Sequence, residues 1–313
     1  MKIVIPGGTG QIGTVLARNL QSNGHDVVVL SRSADASRPW RVVGWDAKSA
    51  GDWCEQIDGA DVVINLAGRS VDCRYNAANR KLITGSRVDS TRAVGDAIAL
   101  ARQPPAVWLQ MSTATIYQHS LDRPQDEATG TLGVRPEEPD TWHFSFDVAT
   151  QWEAAANAFD LPLTRTVLLR TAMMMSPDRG GVFDVLLGLV RKQLGGRAGD
   201  GRQYVSWIHD RDFIRAIEFL IEGDLSGPVN LAAPNPLPNA EFMAALREAA
   251  GVKLGLPATK WMVELGAIVL RTESELILKS RNVVPGRLRE AGFEFEFCAW
   301  EDAVRDLVRR HPV

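Results

Sequence analysis

The chain has 313 residues, 45% of them hydrophobic and 23% charged, a composition typical of a globular protein with one large domain or two smaller ones. Its formal net charge of −3 argues against partners such as nucleic acid or an anionic membrane, which select strongly basic surfaces. No apolar run reaches the roughly 20 residues that span a bilayer, and the three scattered cysteines match no metal site and suit a reducing compartment, so we expect a soluble cytoplasmic protein without a metal.

The opening residues predict a strand, a turn, a helix and a second strand. Residues 2–6 form a short apolar run typical of a buried strand, and apolar residues at helical spacing over 12–23 predict a helix. The valines of residues 26–31 predict another buried strand. This order, completed within about 30 residues, is that of a βαβ crossover unit.

The same alternation of strands and helices continues to about residue 171. We predict four further strands and two long helices: strands at 41–45, 60–66, 106–111 and 163–169, and helices at 79–102 and 146–159. Such alternation predicts an α/β fold with a doubly wound parallel sheet of the Rossmann type, covered by helices on both faces.

Beyond residue 171 the alternation gives way to a mixed pattern. We predict a helix at 207–222, a strand at 229–231 and, from the alternating residues 293–297, a short exposed strand. A second, smaller α/β domain on the substrate side follows from this change. Its predicted residues are 172–202 and 233–313, and those of the dinucleotide-binding domain are 1–171 and 203–232.

A glycine-rich turn joins the first predicted strand to the first helix. Its glycines let the backbone turn tightly and approach a pyrophosphate, and the following helix N-terminus offers unpaired amides and a partial positive charge. The spacing differs by one residue from the commonest dinucleotide fingerprint, but the position after a strand and before a helix is the required one. We therefore predict that a dinucleotide contacts the residues Gly7, Thr9, Gly10, Gln11, Ile12 and Gly13.

The end of the second predicted strand indicates which dinucleotide binds. An acidic residue there would bind the ribose 2′-hydroxyl and repel a 2′-phosphate. This chain instead has Ser31 and Arg32, and a guanidinium can pair with a 2′-phosphate through two charge-assisted hydrogen bonds. We predict NADP(H) as the cofactor, with Arg38 or Arg41 as candidate helpers.

Several motifs along the chain have a recognisable spacing when they are taken jointly. Besides the glycine turn these are Asn65-Leu66-Ala67-Gly68, the run at 86–91, the run at 199–203 leading to Trp207-Ile208-His209, and the run at 284–293. With these motifs the chain resembles the extended short-chain dehydrogenase/reductases of the nucleotide-sugar epimerase superfamily. It is most similar to an atypical branch labelled "epimerase family protein", some members of which carry cell-division-inhibitor-like labels, and which has a C-terminal domain of uncharacterised role.

The resemblance implies positions for the rest of the cofactor site. Leu66, Ala67 and Gly68 would line the dinucleotide after the fourth strand, while Met111 and Ser112 would face the nicotinamide at the end of the fifth. Ligands of such sheets bind at the carboxyl ends of the strands. By the same analogy, two long helices at about 79–102 and 146–159 would form a homodimer.

The resemblance also implies where the catalytic residues should be. The superfamily uses a Ser or Thr hydroxyl, which maps onto Thr113, and a Tyr-x-x-x-Lys pair. A register anchored on Trp152-Glu153 places Ser145 at the tyrosine position and Ala149 at the lysine position.

Both members of that pair are therefore absent. Because serine has no pKa near neutrality, it needs an activating base. Candidates for a different acid/base set are the titratable residues Tyr117, His143, Asp147 and His209.

Three functions remain compatible with the sequence. The first is an NADP(H)-dependent, epimerase-like oxidoreductase acting on a small carbonyl or alcohol, with Met173, Trp207 and His209 lining an apolar substrate cleft. The second is a non-catalytic NADP(H)-binding sensor or regulatory protein, which the missing Tyr and Lys favour. The third is a nucleotide-sugar epimerase, against which Val205 also argues, since it occupies the position of the arginine that usually holds the diphosphate.

Overall fold

The structure is a computed structural model that describes residues 1–33, 37–269 and 272–312. Its strands are β1 (Lys2–Pro6), β2 (Asp26–Ser31), β3 (Arg41–Gly44), β4 (Val62–Asn65), β5 (Val107–Thr113), β6 (Arg165–Thr171), β7 (Met173–Met175), β8 (Tyr204–Val205), β9 (Trp207–His209), β10 (Gly227–Leu231) and β11 (Leu237–Pro238). Its α-helices are α1 (Gln11–Ser22), α2 (Cys54–Ile57), α3 (Ala77–Leu100), α4 (Asp140–Asn157), α5 (Val182–Arg191), α6 (Asp210–Glu222), α7 (Asn239–Ala249), α8 (Lys260–Val269), α9 (Glu275–Leu278), α10 (Gly286–Glu290) and α11 (Trp300–Arg310).

Seven strands form a central parallel sheet in the order β3-β2-β1-β4-β5-β6-β10. The chain winds outwards from β1 in one direction to β3 and then from β4 in the other to β10. The strand order therefore reverses between β1 and β4, which is where such sheets bind their ligands. This confirms the predicted doubly wound α/β fold.

The sheet is buried on both faces, which explains the continuous apolar runs in its strands. Ile3 and Ile5 of β1 point to one face, where they pack with residues of α1 and α6 such as Leu16 and Ile217. Val4, between them, points to the opposite face, where α3 and α4 cover the sheet. Side chains that alternate between two apolar layers fix the register of each strand.

Besides the two apolar layers of the sheet, a separate apolar cluster lies outside it, among α5, α7 and α11. Its centre is Trp300, whose ring stacks on Phe242 at 4.1 Å. Trp207 of β9 packs in this cluster, whereas Leu288 and Phe293, from the C-terminal part of the chain, pack in the core of the large sheet. The chain thus passes between the core of the sheet and this separate cluster more than once.

Two predicted elements differ from the structure. Residues 207–209 form β9, paired with β7, and not the start of a helix; α6 begins at Asp210 because His209 Nδ1 accepts a hydrogen bond from the Arg211 amide at 3.2 Å. Residues 293–297 form no strand, and both Phe293 and Phe297 are buried. Their alternation reflects packing of aromatic rings into the core rather than an exposed strand.

The α4 helix begins at Asp140, earlier than the predicted residue 146. It packs against α3, and together they are the long helices that the resemblance links to a homodimer; that dimer stays a prediction. No helix in the described ranges is both long enough and apolar enough to cross a membrane.

Candidate functional site

The glycine turn is closely packed on one side and open on the other. Gly7 has a φ of +74°, and a Cβ added there would lie 2.6 Å from the Cα of Ala67. A Cβ at Gly13 would lie 2.4 Å from the Cα of Gly8. A Cβ at Gly10, by contrast, meets no described atom within 4 Å. The absence of a side chain at Gly7 and Gly13 allows this close backbone packing, whereas Gly10 faces open space at the start of α1.

The N-terminus of α1 has donors that the described protein does not use. Gly10 is the N-cap and no side chain caps it, so the first amides of the helix have neither an intrahelical nor a side-chain acceptor. The buried Gln11 Nε2 also has no hydrogen-bond partner among the described residues. Uncapped amides, an orphaned amide group and a helix dipole together fit the pyrophosphate of a dinucleotide.

The segment after β4 lies directly beside this turn. The Leu66 amide donates to the Pro6 carbonyl at 2.9 Å, and the Ala67 amide donates to Asn65 Oδ1 at 3.1 Å. Gly68 follows against the side chain of Arg87. The structure thus brings the two predicted dinucleotide-binding segments, 7–13 and 66–68, together where the strand order reverses.

Arg32 comes out at the same edge of the sheet. Leu30 of β2 is paired with Pro6 of β1, so the residues after both strands lie side by side. Ser31 is buried and its hydroxyl accepts from the Ser33 amide at 3.3 Å, whereas Arg32 is exposed. Arg41, the first residue of β3, is level with Val28 in the middle of β2, and its Nη2 donates to Gln56 Oε1 at 2.6 Å, so the structure does not bring it to this edge.

The carboxyl end of β5 presents one of its two hydroxyls to this edge. Ser112 is buried and its hydroxyl donates to Glu153 Oε1 at 2.6 Å. The Met111 side chain is buried as well. Thr113 is only half-buried, and its Oγ1 accepts from the Thr115 amide at 3.2 Å. Of these three predicted residues, Thr113 is the one whose side chain is accessible.

A buried charged network lies behind Ser112. Arg170 donates to both oxygens of Glu153, at 2.9 and 2.8 Å, and to the Tyr117 hydroxyl at 3.0 Å. That hydroxyl in turn donates to Asn230 Oδ1 at 3.0 Å. Glu153 and Arg170 were not identified from the sequence. Charged residues on the apolar faces of a predicted helix and strand would have indicated a buried ion pair.

This network removes Tyr117 from the candidate acid/base groups. Tyr117 is only 2% exposed, and its hydroxyl lies between Arg170 and Asn230. Burial raises the pKa of Tyr117 in spite of the neighbouring guanidinium. A phenol enclosed in this way links the segment after β5 to β6 and β10, and its hydroxyl is not exposed to the shared edge.

Two of the predicted substrate-binding residues are also interior. Trp207 and His209 are fully buried, and Trp207 packs on Trp300 with ring centroids 5.1 Å apart. His209 Nε2 lies 3.2 Å from Asp306 Oδ2, and burial lowers its pKa although Asp210 and Asp306 oppose that effect. The structure does not bring these two side chains to the shared edge, because α11 packs over β9.

The remaining candidates occupy accessible positions. Met173, at the start of β7, is half-buried. His143 is half-buried and Asp147 is exposed, both on α4. Among the described residues, none of the three side chains makes a polar contact that would assign it a role.

Ser145 has a partner that the sequence did not suggest. It is half-buried on α4, and its hydroxyl donates to Glu275 Oε2 of α9 at 2.5 Å. Ala149, one turn later, packs in an apolar cluster with Ile116 and Val283. The lysine position of the superfamily is therefore filled by apolar side chains, while the tyrosine position is hydrogen-bonded to a carboxyl group.

The residues after Glu275 fasten this segment to the end of β5. Lys279 Nζ donates to the Thr115 carbonyl at 2.9 Å, and Arg281 Nε donates to Thr115 Oγ1 at 3.1 Å. Burial lowers the pKa of Lys279 to about 8 and raises that of Glu275. A buried ammonium and a buried guanidinium thus contact Thr115, two residues after Thr113, and the buried Glu275 carboxyl contacts Ser145.

The cleft at the other end of β1 and the distribution of possible metal ligands give no second candidate site in the described part of the chain. A cleft of about 600 Å³ lined by Met1, Leu20 and Phe293 lies at the amino end of β1, opposite to the glycine turn. Among the described residues, no group of three or more His, Cys, Asp or Glu side chains is arranged to hold a metal ion.

The model of the NAD dependent epimerase/dehydratase family matches residues 3–232. The chain belongs to this family. Residues 258–307, which include Glu275, Lys279 and Arg281, match a domain of unknown function (DUF1731). The resemblance seen in the sequence is thereby confirmed, including its C-terminal domain.

Relatives with this organisation occur in distant organisms. The human epimerase family protein SDR39U1 is 30% identical over 314 residues, covering 98% of this chain and all of that protein. A crystal structure of human SDR39U1 with NADPH has a TM-score of 0.86 and 28% identity, and the match covers 99% of this chain and 100% of that one. A nucleoside-diphosphate sugar epimerase from Corynebacterium glutamicum has a TM-score of 0.72 and 26% identity, with 96% of this chain and 57% of that chain covered.

Proposed function

We propose that this chain is an NADP(H)-dependent, epimerase-like oxidoreductase that acts on a small carbonyl or alcohol. The observation that carries the proposal is the shared edge of the sheet. An uncapped helix N-terminus, an exposed arginine after β2 and an accessible hydroxyl after β5 all open there. The similarity to a human protein crystallised with NADPH supports the choice of cofactor.

Different residues of the shared edge would bind different parts of the dinucleotide. The amides at the start of α1, after Gly10, would bind the pyrophosphate, and Arg32 would bind the 2′-phosphate as a bidentate partner. The backbone of residues 66–68 would line the dinucleotide between β4 and β5. When bound, the nicotinamide supplies the hydride, and the chain's own residues bind and orient the substrate.

Two hydroxyls are placed to hold a substrate oxygen. Thr113 and Ser145 are both half-buried, on the end of β5 and on the helix that packs against the turn after it. Because Val205 replaces the arginine that would hold a nucleotide diphosphate, a small substrate is favoured over a sugar nucleotide.

One observation favours a non-catalytic NADP(H)-binding protein as the second candidate. The superfamily's lysine position is Ala149, which is fully buried among apolar side chains and has no ionisable group. Under this alternative the chain would bind NADPH tightly, but it would not oxidise NADPH in the presence of any compound of a broad carbonyl panel.

Arg32→Asp tests the cofactor part of the proposal. We expect the affinity for NADPH, measured by enhancement of its fluorescence, to fall by a factor corresponding to about 1.5 to 3 kcal/mol, since charge-assisted hydrogen bonds are lost. The affinity for NADH, which lacks the 2′-phosphate, should change far less.

Arg41→Asp is the matched control, because it makes the same charge change three residues before that edge, where the Arg41 guanidinium is hydrogen-bonded to Gln56. It should leave both affinities within a factor of about two. Equal losses for NADPH and NADH in Arg32→Asp would mean that Arg32 does not bind the phosphate. Loss of NADPH absorbance with members of a carbonyl panel then separates the enzyme from the non-catalytic alternative.

A further inference from the structure

The tyrosine and lysine positions of α4 supply no proton donor. Ser145 stands at the tyrosine position, and an isolated serine hydroxyl neither gives up nor takes a proton near neutral pH. Ala149 offers no charge to change that. A group that supplies a proton through Ser145 must therefore contact its hydroxyl.

Glu275 meets this requirement. It is 1% exposed, and its Oε2 accepts the hydrogen bond of Ser145 at 2.5 Å. Its Oε1 makes no hydrogen bond with any described residue, although Arg281 Nη2 lies 3.6 Å away. The buried Glu153 is different, because Arg170 binds both of its oxygens. Glu275 thus has a buried oxygen that can carry a proton.

The surroundings favour the protonated form of Glu275. Burial raises its pKa, and Glu273 acts in the same direction, whereas Arg281, the Ser145 hydroxyl and Lys279 act against it. The neighbouring Tyr75 has a pKa raised to about 12 by burial and by Glu275, so it stays protonated and does not compete. Burial thus moves the Glu275 carboxyl towards its protonated form, while the pKa of Lys279, in the same cluster, is lowered to about 8.

We propose that Glu275 relays protons through Ser145, so that the C-terminal segment supplies the acid/base function that α4 lacks. This inference rests on the proposed oxidoreductase function. For this step the Ser145 hydroxyl points to the substrate oxygen, and the Glu275 proton lies on Oε2, the oxygen 2.5 Å from Ser145 Oγ. In the reducing direction the Ser145 hydroxyl then gives its proton to the substrate oxygen as Ser145 Oγ takes the proton from Glu275 Oε2. One O–H bond forms on the substrate and one breaks on Glu275, while the hydride comes from the bound nicotinamide.

The step leaves a Glu275 carboxylate, which regains a proton from water between turnovers. Arg281 is placed to stabilise that carboxylate, and Arg281 and Lys279 both hold the turn at Thr115 through the contacts described above. Ser145 is then the residue that touches the substrate. Glu275 is a positioning residue that acts through it, which gives residues 258–307 a direct part in the reaction.

The first test needs no substrate. Protein labelled with ¹³C at glutamate carboxyls is titrated by NMR, and wild-type and Glu275→Gln spectra are compared, because burial also raises the pKa of Glu127. We expect one resonance that titrates above the ordinary glutamate range in the wild type, is absent in Glu275→Gln and shifts its midpoint in Ser145→Ala. Glu264→Gln, an exposed carboxyl on α8, should leave it unchanged. A Glu275 resonance with an ordinary midpoint would overturn the proposal.

The second test uses a carbonyl that the wild type reduces with NADPH. Glu275→Gln and Ser145→Ala should each lower kcat by about 100-fold or more, the range expected for loss of an acid/base group, with an unchanged Kd for NADPH. Glu275→Asp should restore part of kcat, and the wild-type midpoint of kcat against pH should disappear in Glu275→Gln.

The two proposals fail in different ways. A wild type that binds NADPH but reduces no carbonyl overturns the proposed function and the relay with it. A wild type that reduces a carbonyl while Glu275→Gln keeps the same kcat and pH profile overturns only the relay.

Discussion

The buried pair between Glu153 and Arg170 makes a sharp prediction about stability. Their side chains are 10% and 6% exposed, and Glu153 also accepts the hydrogen bond of Ser112. Glu153→Gln keeps the shape of the side chain but leaves the Arg170 charge buried without a counter-charge. Removing one partner of such a pair costs about 3 to 5 kcal/mol, so we expect a loss near 3 kcal/mol, since glutamine still accepts one hydrogen bond.

Urea denaturation followed by tryptophan fluorescence measures this loss. The matched control is Asp302→Asn, which removes the carboxylate of an ion pair with Arg305 whose side chains are 65% and 61% exposed. That change should cost less than about 1 kcal/mol. Adding Arg170→Met to Glu153→Gln should recover part of the loss, because no unpaired charge then remains. A loss for Glu153→Gln as small as that for Asp302→Asn would refute this reasoning.

Three further predictions follow from local geometry. Gly13→Ala should cost about 1 to 3 kcal/mol in urea denaturation and weaken NADPH binding, since its Cβ would meet the Gly8 backbone, whereas Gly10→Ala should keep the stability within about 1 kcal/mol but still weaken binding. Tyr117→Phe should cost about 1 to 3 kcal/mol through the unpaired Asn230 and Arg170, yet leave the Kd for NADPH unchanged; a raised Kd would contradict its interior role. Burial lowers the pKa of Lys279 from 10.5 to about 8, so between these pH values the unfolded chain binds more protons than the folded one. The free energy of unfolding of the wild type, relative to that of Lys279→Met, should therefore rise by on the order of 3 kcal/mol from pH 8 to 10.5. A difference that does not change with pH would argue against this pKa shift.

Local patterns in the sequence predict most of the sheet. The valine run of β2 and the glycine turn before α1 are signals within a few residues, and the structure has both elements at the predicted positions. The predictions fail where tertiary packing decides. Residues 207–209 pair with β7 instead of joining α6, and residues 293–297 turn two phenylalanines into the interior instead of forming a strand.

The meeting of the predicted cofactor-binding segments at one edge of the sheet was also predictable, but the contact between Ser145 and Glu275 was not. Residues 7–13, 32 and 66–68 follow strand ends, and a parallel sheet brings strand ends together. Glu275 is separated from Ser145 by 130 positions, and no periodicity connects them. Tyr117 and His209 were reasonable candidates by residue type, yet their burial depends on helices and strands from distant parts of the chain. Titratable residues can be found in a sequence, whereas their exposure depends on the fold.

The central claim is that a dinucleotide pyrophosphate binds at the uncapped start of α1. Isothermal titration calorimetry of the unmodified chain with NADPH, and separately with NADH, tests it most directly. We expect saturable binding of NADPH with one site per chain and a weaker affinity for NADH. If neither dinucleotide produces any heat of binding over a range of temperatures, the assignment of the glycine turn is wrong and the proposed function fails with it.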